Sequence, residues 1–307
     1  MTKTKKALLI VCLILLLLVG IACIMYPVFS SWYNEKHKAK VHTEYLQVLE
    51  KTGEEKIEAV RAAAIKYNEK LFRNELPRDN PKGNGYYEQL NLAGNGIMGY
   101  IRIPAIDVHL AIYHGAKEPA ISTGAGHLPE TSLPIGGVDT HAVLSAHSGM
   151  ASNALFSELE RLKVGDCFYI EILGQTLTYQ ILSADDISVV LPHETDTLGI
   201  ESGKDKITLL TCTPYGVNTH RLLVTGHRVE SPDVTLTAAI SSGTEGLTDR
   251  LSVRGRNYIK GFAIGLFCAG GIILFISIPV LIIKKRKKAS AELPQTEPDP
   301  ILSPDPF

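Results

Sequence analysis

Residues 207–228, ITLLTCTPYGVNTHRLLVTGHR, contain the most informative pattern of the chain. Residues 207–211 are apolar or β-branched and predict a strand that runs up to Cys212. Residues 214–218 supply turn chemistry, and Arg221 opens a second apolar run. The pattern therefore predicts a β-hairpin that sets Cys212 and Arg221 side by side.

A cysteine at the end of a strand is a candidate nucleophile. A thiol attacks a carbonyl only as the thiolate, so Cys212 requires a base and a donor for the developing oxyanion. Arg221 is the candidate donor. Among ten histidines, His147 is the candidate base, because residues 142–144 predict a strand that ends at its imidazole. No acidic partner of His147 is assigned, although Asp139 and Glu158 lie near it in the chain.

Short apolar runs recur between Gly, Pro and Asp turns through the central part of the chain, and they predict a single all-β domain. The runs are residues 99–103, 110–113, 142–145, 168–172, 178–181, 186–190, 207–211 and 222–225. Residues 154–162, ALFSELERL, form the one helical pattern within this domain.

Several of these segments resemble the sortases, which are cysteine transpeptidases of the Gram-positive cell surface. The resemblance covers roughly residues 97–229. In its details this part of the chain is most similar to class C, the pilin-polymerising branch. Its segments are IMGYIRIPAIDVHLAIYHGA, GAGHLPETSLPIGG, THAVLSAHSGM, ALFSELERLKVGD and TLLTCTPYGVNTHRLLVTGHR. It implies an eight-stranded sortase-type β-barrel with an active site of Cys212, His147 and Arg221.

The resemblance also implies a mechanism. Cys212 would attack the Thr carbonyl of a Leu-Pro-any-Thr-Gly sorting signal, Arg221 would hold the oxyanion, and His147 would protonate the leaving glycine amine. A pilin lysine amine would then resolve the thioester. The implied partners are pilins or surface proteins with such a signal, and neither a metal nor another cofactor is expected. Thr211 and Thr213, which flank the nucleophile, have either a substrate-binding or a structural role.

Two apolar segments flank the predicted barrel, residues 7–29 and 261–283. Each is near the roughly 20 residues that a helix needs to cross about 30 Å of hydrocarbon. Lysines precede the first segment, and the basic residues 284–288 follow the second. Because basic flanks stay in the cytoplasm, we expect a two-pass cell-membrane protein with both termini inside and the barrel outside. A cleaved signal peptide is the alternative for the first segment, and it leaves the barrel outside as well.

These signals divide the chain into six segments. They are a cytoplasmic stub and transmembrane segment (1–30), an extracellular helical and lid-like region (31–95), the catalytic barrel (96–235), a juxtamembrane stalk (236–258), a transmembrane helix (259–283), and a basic, then Pro-rich cytoplasmic tail (284–307). Residues 35–72 show helical spacing with a break at Thr52 and Gly53, which is typical of a packing and spacer element.

Residues 74–84, NELPRDNPKGN, have the composition of a loop. In class C enzymes this region often forms a lid whose Asp-Pro-aromatic motif plugs the active site. Here an asparagine separates Asp79 from the proline, and Lys82 replaces the aromatic residue. Tyr86 or Tyr87 would either substitute for the missing ring or pack on the barrel, and packing is the favoured role.

The cysteines give no disulfide framework. Cys12, Cys23 and Cys268 lie in the apolar segments, which leaves Cys167 and Cys212 outside them. A bridge between these two would consume the nucleophile. The alternating pattern around Cys167 favours a buried structural thiol instead.

Other histidines and two short sequences have simpler explanations. The histidines show no metal-ligand spacing, and structural roles are expected for His114, His127, His141, His220 and His227. Residues 128–131, LPET, and 293–296, LPQT, are superficially like sorting signals, but glycine follows neither. The chain therefore resembles the enzyme and not its substrate.

Three functions stay open. The first is the pilin polymerase, and the second is a sortase that transfers proteins to the peptidoglycan cross-bridge amine. The third is a membrane-tethered binding or assembly module without catalysis, against which the intact Cys, His and Arg argue. A papain-like hydrolase is disfavoured, because its cysteine opens a helix. A net charge of −1 with 21% charged residues gives no sign of nucleic-acid binding.

Overall fold

The computed structural model describes residues 3–78, 80–148, 153–194 and 196–230. Some predicted features lie outside these residues: Asp79 of the lid-like loop, the stalk, the second apolar segment with Cys268, the basic cluster, and the tail with its LPQT sequence.

Two long helices, α1 (Lys3–Lys51) and α2 (Glu54–Phe72), precede the sheet. The predicted break at Thr52 and Gly53 is confirmed. The first apolar segment and the spacer helix, predicted as separate elements, form one continuous α1, because neither glycine nor proline occurs between positions 28 and 52. Among the residues that the structure describes, no helix has both the length and the apolar character that a bilayer crossing requires.

Nine strands follow within the described part of the chain, and eight of them form a closed ring. The strands are β1 (Ile97–Ile103), β2 (Val108–His114), β3 (Ala125–His127), β4 (Thr140–Ser145), β5 (Cys167–Ile172), β6 (Gln175–Gln180), β7 (Ile187–Val190), β8 (Asp205–Thr213) and β9 (His220–Val229). The ring order is β6-β5-β1-β2-β3-β4-β8-β9, and pairing of β6 with β9 closes it. Strand β7 lies outside the ring and pairs with the first half of β9.

The predicted eight-stranded barrel is therefore confirmed, with one exchange of strands. The predicted strand over residues 186–190 corresponds to β7, which is not a ring member. Its place is taken by β3, which pairs parallel with β2 and antiparallel with β4. Strand β3 has three residues, and a segment of that length carries no detectable alternation.

The predicted helix over residues 154–162 is wrong in extent. Only a 3₁₀ turn forms, at Leu159–Arg161. The backbone φ of Leu155 is 42°, which is outside the right-handed helical region and ends any regular helix there. Leu155 and Phe156 are nevertheless buried in the core, so the apolar pattern marks burial and not helix.

Both helices pack against the barrel region. Helix α2 buries Ala64, Tyr67 and Leu71, and its Asn68 exchanges two hydrogen bonds with the backbone of Leu133, at 3.0 and 2.7 Å. The side-chain amide thus acts as a strand partner for a loop that would otherwise leave backbone groups unpaired. The last turns of α1 are attached in a similar way, through the hydroxyl of Tyr45, which donates to the carbonyl of Met98.

Two polar groups, the imidazoles of His127 and His141, are fully buried. His127 contacts the hydroxyl of Tyr86 at 2.9 Å and the carbonyl of Ser132 at 2.7 Å. His141 contacts the carbonyl of Gly199 and the hydroxyl of Thr208. Each ring has one acceptor for its N–H and one hydroxyl for its lone pair, which suits the neutral form. Burial lowers the pKa of each from 6.5 to about 4.

The lowered pKa values of His127 and His141 predict that the fold loses stability in mild acid. In the unfolded chain they take up protons near pH 6.5, whereas in the folded chain they do so only near pH 4. Stability is therefore complete above pH 6.5 and falls as the pH drops towards 4, by up to about 3 kcal/mol for each group. The melting temperature of the purified chain should fall between pH 7 and pH 5.

Two variants isolate the effect. His127→Gln should flatten the dependence of melting temperature on pH, while His193→Gln, at an exposed loop position, should leave the slope unchanged. An equal melting temperature at pH 7 and pH 5 in the unsubstituted chain would contradict the prediction.

Close backbone packing at β3 predicts a second stability effect. A Cβ on Gly126 would collide with the carbonyl oxygen of Gly115 and would lie 2.9 Å from the Cα of Ala116. Because backbone must shift to admit the methyl group, Gly126→Ala should destabilise the fold by about 1–3 kcal/mol, measured as a lower melting temperature. Gly53→Ala is the matched control, since nothing lies within 4 Å of its Cβ position; an equal effect at both sites would contradict this.

Candidate active site

The hairpin predicted around Cys212 is formed by β8 and β9. Their antiparallel register places Cys212 directly opposite Arg221 and Thr213 opposite His220. Side chains of directly opposed residues lie on the same face of the sheet, with Cβ atoms about 5 Å apart. The thiol and the guanidinium therefore share one face at the end of the hairpin.

The third predicted residue reaches the same end of the sheet through a parallel pairing. Strand β4 runs alongside β8, with Ser145 level with Leu210. The backbone of Ala146 continues the contact: its N–H donates to Leu210 at 3.2 Å, and its carbonyl accepts the hydroxyl of Thr211 at 2.8 Å. The last register pair of this ladder, Ser145 with Leu210, lies two residues before His147 on one strand and two residues before Cys212 on the other.

The backbone of His147 is fixed on two sides. Its N–H donates to the carbonyl of Ile121 at 3.4 Å, and its own carbonyl accepts the N–H of Phe156 at 3.1 Å. The imidazole Nε2 lies 2.7 Å from a carboxylate oxygen of Glu118. The His147 side chain is 35% exposed and that of Glu118 is 60% exposed, so the pair opens to solvent.

Glu118 is the acidic partner that sequence reasoning missed. Asp139 accepts a hydrogen bond from the N–H of Gly203, and Glu158 pairs with Arg161 at 2.9 Å, so the two acids nearest in the chain are engaged elsewhere. The hydroxyl of Ser122 and the imidazole of His147 hold the pKa of Glu118 below its usual range. No local motif indicates Glu118, because 29 residues separate it from His147.

The guanidinium of Arg221 is held by the turn that joins β8 to β9. Its Nη1 donates to the carbonyl of Asn218 at 3.2 Å and to that of His220 at 3.0 Å. Both bonds use the same nitrogen, and a guanidinium carries five N–H donors. These two bonds therefore leave the donors on the other nitrogens of Arg221 unused.

The flanking threonines differ in their surroundings. Thr211 is buried, and its hydroxyl donates to the Ala146 carbonyl. This contact supports a structural role for Thr211 over a substrate-binding one. Thr213 ends β8 and is half-buried. Cys167 and Cys212 are both free thiols, so the disulfide alternative is excluded. Burial raises the pKa of the Cys167 thiol, as expected for a structural cysteine.

The tyrosine pair after the lid-like loop packs on the barrel, as the sequence favours. Tyr86 is fully buried, and its hydroxyl accepts the N–H of Gly115 at 3.0 Å. The ring of Tyr87 packs edge-on against Tyr86, with centroids 5.0 Å apart. The LPET sequence is part of the fold: the Thr131 hydroxyl is buried and donates to the Leu128 carbonyl.

Comparison with known proteins gives consistent matches. A family model described as the sortase domain matches residues 101–229. The crystal structure of sortase C1 from Streptococcus agalactiae matches with a TM-score of 0.58 and 42% identity, over 62% of this chain and 99% of that chain. The Clostridium perfringens sortase C, solved with the C-terminal cell wall sorting motif, matches with a TM-score of 0.54 and 38% identity, over 63% of this chain and 100% of that chain.

A curated relative is the sortase A of Streptococcus agalactiae serotype III (strain NEM316). It is 34% identical over 120 residues, which is 38% of this chain. The chain spans about half the length of that relative, 47%.

The contact between Glu118 and His147 predicts the reactivity of Cys212. This contact holds the imidazole in one orientation, and a cysteine nucleophile depends on a correctly oriented base. Glu118→Gln should therefore slow the alkylation of Cys212 by iodoacetamide several-fold near pH 7, with little effect at pH values where any thiol is ionised. Mass spectrometry of the Cys212 peptide over time measures the rate.

Glu130→Gln, which removes an exposed carboxylate from the LPET turn, is the control and should leave the rate unchanged. Superimposable rate profiles of the Glu118→Gln variant and the unsubstituted chain would show that Glu118 does not act on the thiol.

Proposed function

The chain belongs to the sortase family, and on that premise we propose that it is a class C transpeptidase that polymerises pilins. Sortases are cysteine transpeptidases. The solved structures that this chain resembles include class C enzymes, and the resemblance extends over almost the whole length of those enzymes. The observation that carries the proposal is the meeting of Cys212, Arg221 and the end of β4 at one edge of the barrel.

The first half of the proposed reaction forms an acyl-enzyme. The Cys212 thiolate attacks the Thr carbonyl of a Leu-Pro-any-Thr-Gly signal, and the developing oxyanion accepts hydrogen bonds from Arg221. Charged His147 gives its proton to the glycine amine as the C–N bond breaks. The products are a thioester on Cys212 and a released peptide that begins with glycine.

The second half transfers the acyl group to an amine. Neutral His147 takes a proton from the attacking lysine amine of a pilin, and Arg221 again stabilises the oxyanion. Collapse of the tetrahedral intermediate forms an isopeptide bond and returns the Cys212 thiolate with a charged imidazole. Glu118 stabilises that imidazolium in both halves, which suits a histidine that must alternate between donating and accepting a proton.

We further propose that the barrel faces the outside of the cell membrane, between two transmembrane segments. Sequence carries this part of the proposal, through the apolar runs 7–29 and 261–283 and their basic flanks. The outward apolar side chains of α1 support it, since Leu8, Leu17 and Val19 are 67%, 63% and 62% exposed. Such a run of exposed apolar side chains is unfavourable in water and suits a lipid environment.

The second candidate is a sortase that joins proteins to the cross-bridge amine of peptidoglycan. It uses the same acyl-enzyme and differs only in the amine that resolves it. The similarity to a sortase A keeps this candidate open.

The test uses the purified full-length chain in detergent with a recombinant pilin that ends in a sorting signal. We expect covalent ladders on denaturing gels, with mass spectrometry showing threonine joined to a lysine amine. Cys212→Ala and His147→Ala should abolish the ladders, and Arg221→Ala should slow them by about 10²- to 10³-fold, as for loss of an oxyanion donor. Cys167→Ala, which removes the other described barrel thiol, should retain them.

The acceptor decides between the candidates. Transfer to a small peptidoglycan-like amine without ladders would favour the anchoring sortase. If no signal and no acceptor gives Cys212-dependent chemistry, the catalytic proposal fails and the non-catalytic assembly module takes its place.

A further inference from the structure

A second cluster of reactive side chains lies on the outside of the barrel, away from Cys212. It consists of His42 on α1, His109 on β2 and Glu171 on β5. Each offers one ligand atom, and these atoms lie within 4.8 Å of one another. Any two of the three positions are more than 60 residues apart in the chain, so no rule of ligand spacing detects them. The expectation from the sequence that the chain binds no metal therefore did not take them into account.

Strand pairing puts two of these residues on one face. In the register of β1 with its neighbours, Tyr100 lies opposite Glu171, and Arg102 lies opposite His109. His109 and Glu171 therefore approach each other diagonally across β1, and His109 Nε2 lies 3.7 Å from Glu171 Oε2.

Helix α1 brings the third residue onto the same face. The His42 ring packs edge-on against His109, with centroids 4.6 Å apart, and against Tyr100 at 4.5 Å. One turn further along the helix, the Tyr45 hydroxyl donates to the carbonyl of Met98 and accepts the N–H of Leu173, both at 3.3 Å. The position of His42 is thus set by a docked helix and not by a free side chain.

Two imidazoles and one carboxylate are a donor set that suits Zn²⁺ and neighbouring transition metals. Zinc bonds of about 2.0–2.2 Å place tetrahedral ligand atoms roughly 3.4 Å apart, so the three side chains must turn towards one another to bind the ion. His109 and Glu171 are 42% and 28% exposed, which leaves room for such rotations and for a water ligand.

Arg102 completes the arrangement as a supporting group. Its Nε donates to Glu171 Oε1 at 3.0 Å, and its guanidinium stacks 4.3 Å from the ring centroid of Tyr169. This contact occupies one carboxylate oxygen and leaves Oε2, the oxygen nearer His109, for a metal. Carboxylate ligands are commonly oriented by such outer hydrogen bonds.

We propose that His42, His109 and Glu171 form a site for one divalent transition-metal ion, with Zn²⁺ as the best fit, that ties α1 to the outer face of the barrel. The ion joins one helix to two strands, so it adds a link between α1 and the barrel beside the Tyr45 bonds and the apolar patch around Tyr100. The role is structural, and it does not depend on the transpeptidase reaction.

The test measures metal binding directly on the untagged full-length chain in detergent. Cys212→Ala is the background, because a free active-site thiol would itself bind zinc. After treatment with a chelator, Co²⁺ is titrated and its visible absorption recorded, and Zn²⁺ is then added in competition. We expect one equivalent of Co²⁺ in a tetrahedral or five-coordinate environment, displaced by Zn²⁺, and a melting temperature that rises by several degrees with Zn²⁺.

Ligand variants identify the site. His42→Ala, His109→Ala and Glu171→Gln should each weaken binding at least about tenfold and remove the zinc-dependent rise in melting temperature. His193→Ala is the matched control and should bind as the background does. Circular dichroism and the metal-free melting temperature show whether each variant folds; the three separate substitutions keep the test open if one does not.

Two results would overturn the proposal. Unchanged Co²⁺ spectra and affinity in folded His42→Ala and His109→Ala would show that the cluster is not the site. Loss of binding in a His147→Ala variant alone would place the metal at the catalytic histidine instead. Neither result bears on the ladder experiment, so failure of this inference is distinguishable from failure of the proposed function.

Discussion

The parallel pairing of β4 with β8 is the constraint on which the site depends. Six consecutive residue pairs, from Thr140 with Asp205 to Ser145 with Leu210, bring together segments that are 65 residues apart in the chain. The Thr211 hydroxyl extends this pairing past the last ladder bond and fixes Ala146. The register of these strands therefore places the segment that leads into His147 beside the segment that ends at Cys212, and a shift of one residue would turn the side chains of one strand to the opposite face.

Buried polar groups hold the remaining elements against this pair of strands. Asn68 ties α2 to Leu133, and Tyr86 with His127 ties the segment before β1 to β3. Each contact satisfies groups that would be costly if left unpaired inside the protein, so it specifies position more than it adds stability. The region predicted as a lid is in this way anchored at its end by a tyrosine that belongs to the core. The ring of Tyr86 serves the barrel and not the mouth of the active site.

The sequence predicted most accurately the features that are formed by residues close together in the chain. The β8–β9 hairpin was evident because a strand, a turn and a second strand follow one another, and the opposition of Cys212 and Arg221 comes directly from that turn. Strand β3 was missed because three residues give no period. The short helix was overestimated, since apolar spacing reports burial as well as helix. Glu118 and the group of His42, His109 and Glu171 depend on pairings distant in sequence, which no spacing rule contains.

The order in which the strands close the ring has a consequence for how the chain folds. Strand β9 pairs with β8, β7 and β6, so the ring cannot close until β9, the last of its strands, has been synthesised. Before that moment β6 and β8 are the open edges of a curved sheet, with unpaired backbone groups that could recruit another chain. Closing contacts over such separations is slow. A chain that is synthesised from its amino end therefore passes through an open sheet, and the time it spends in that state is the time in which its exposed edges can pair with another chain.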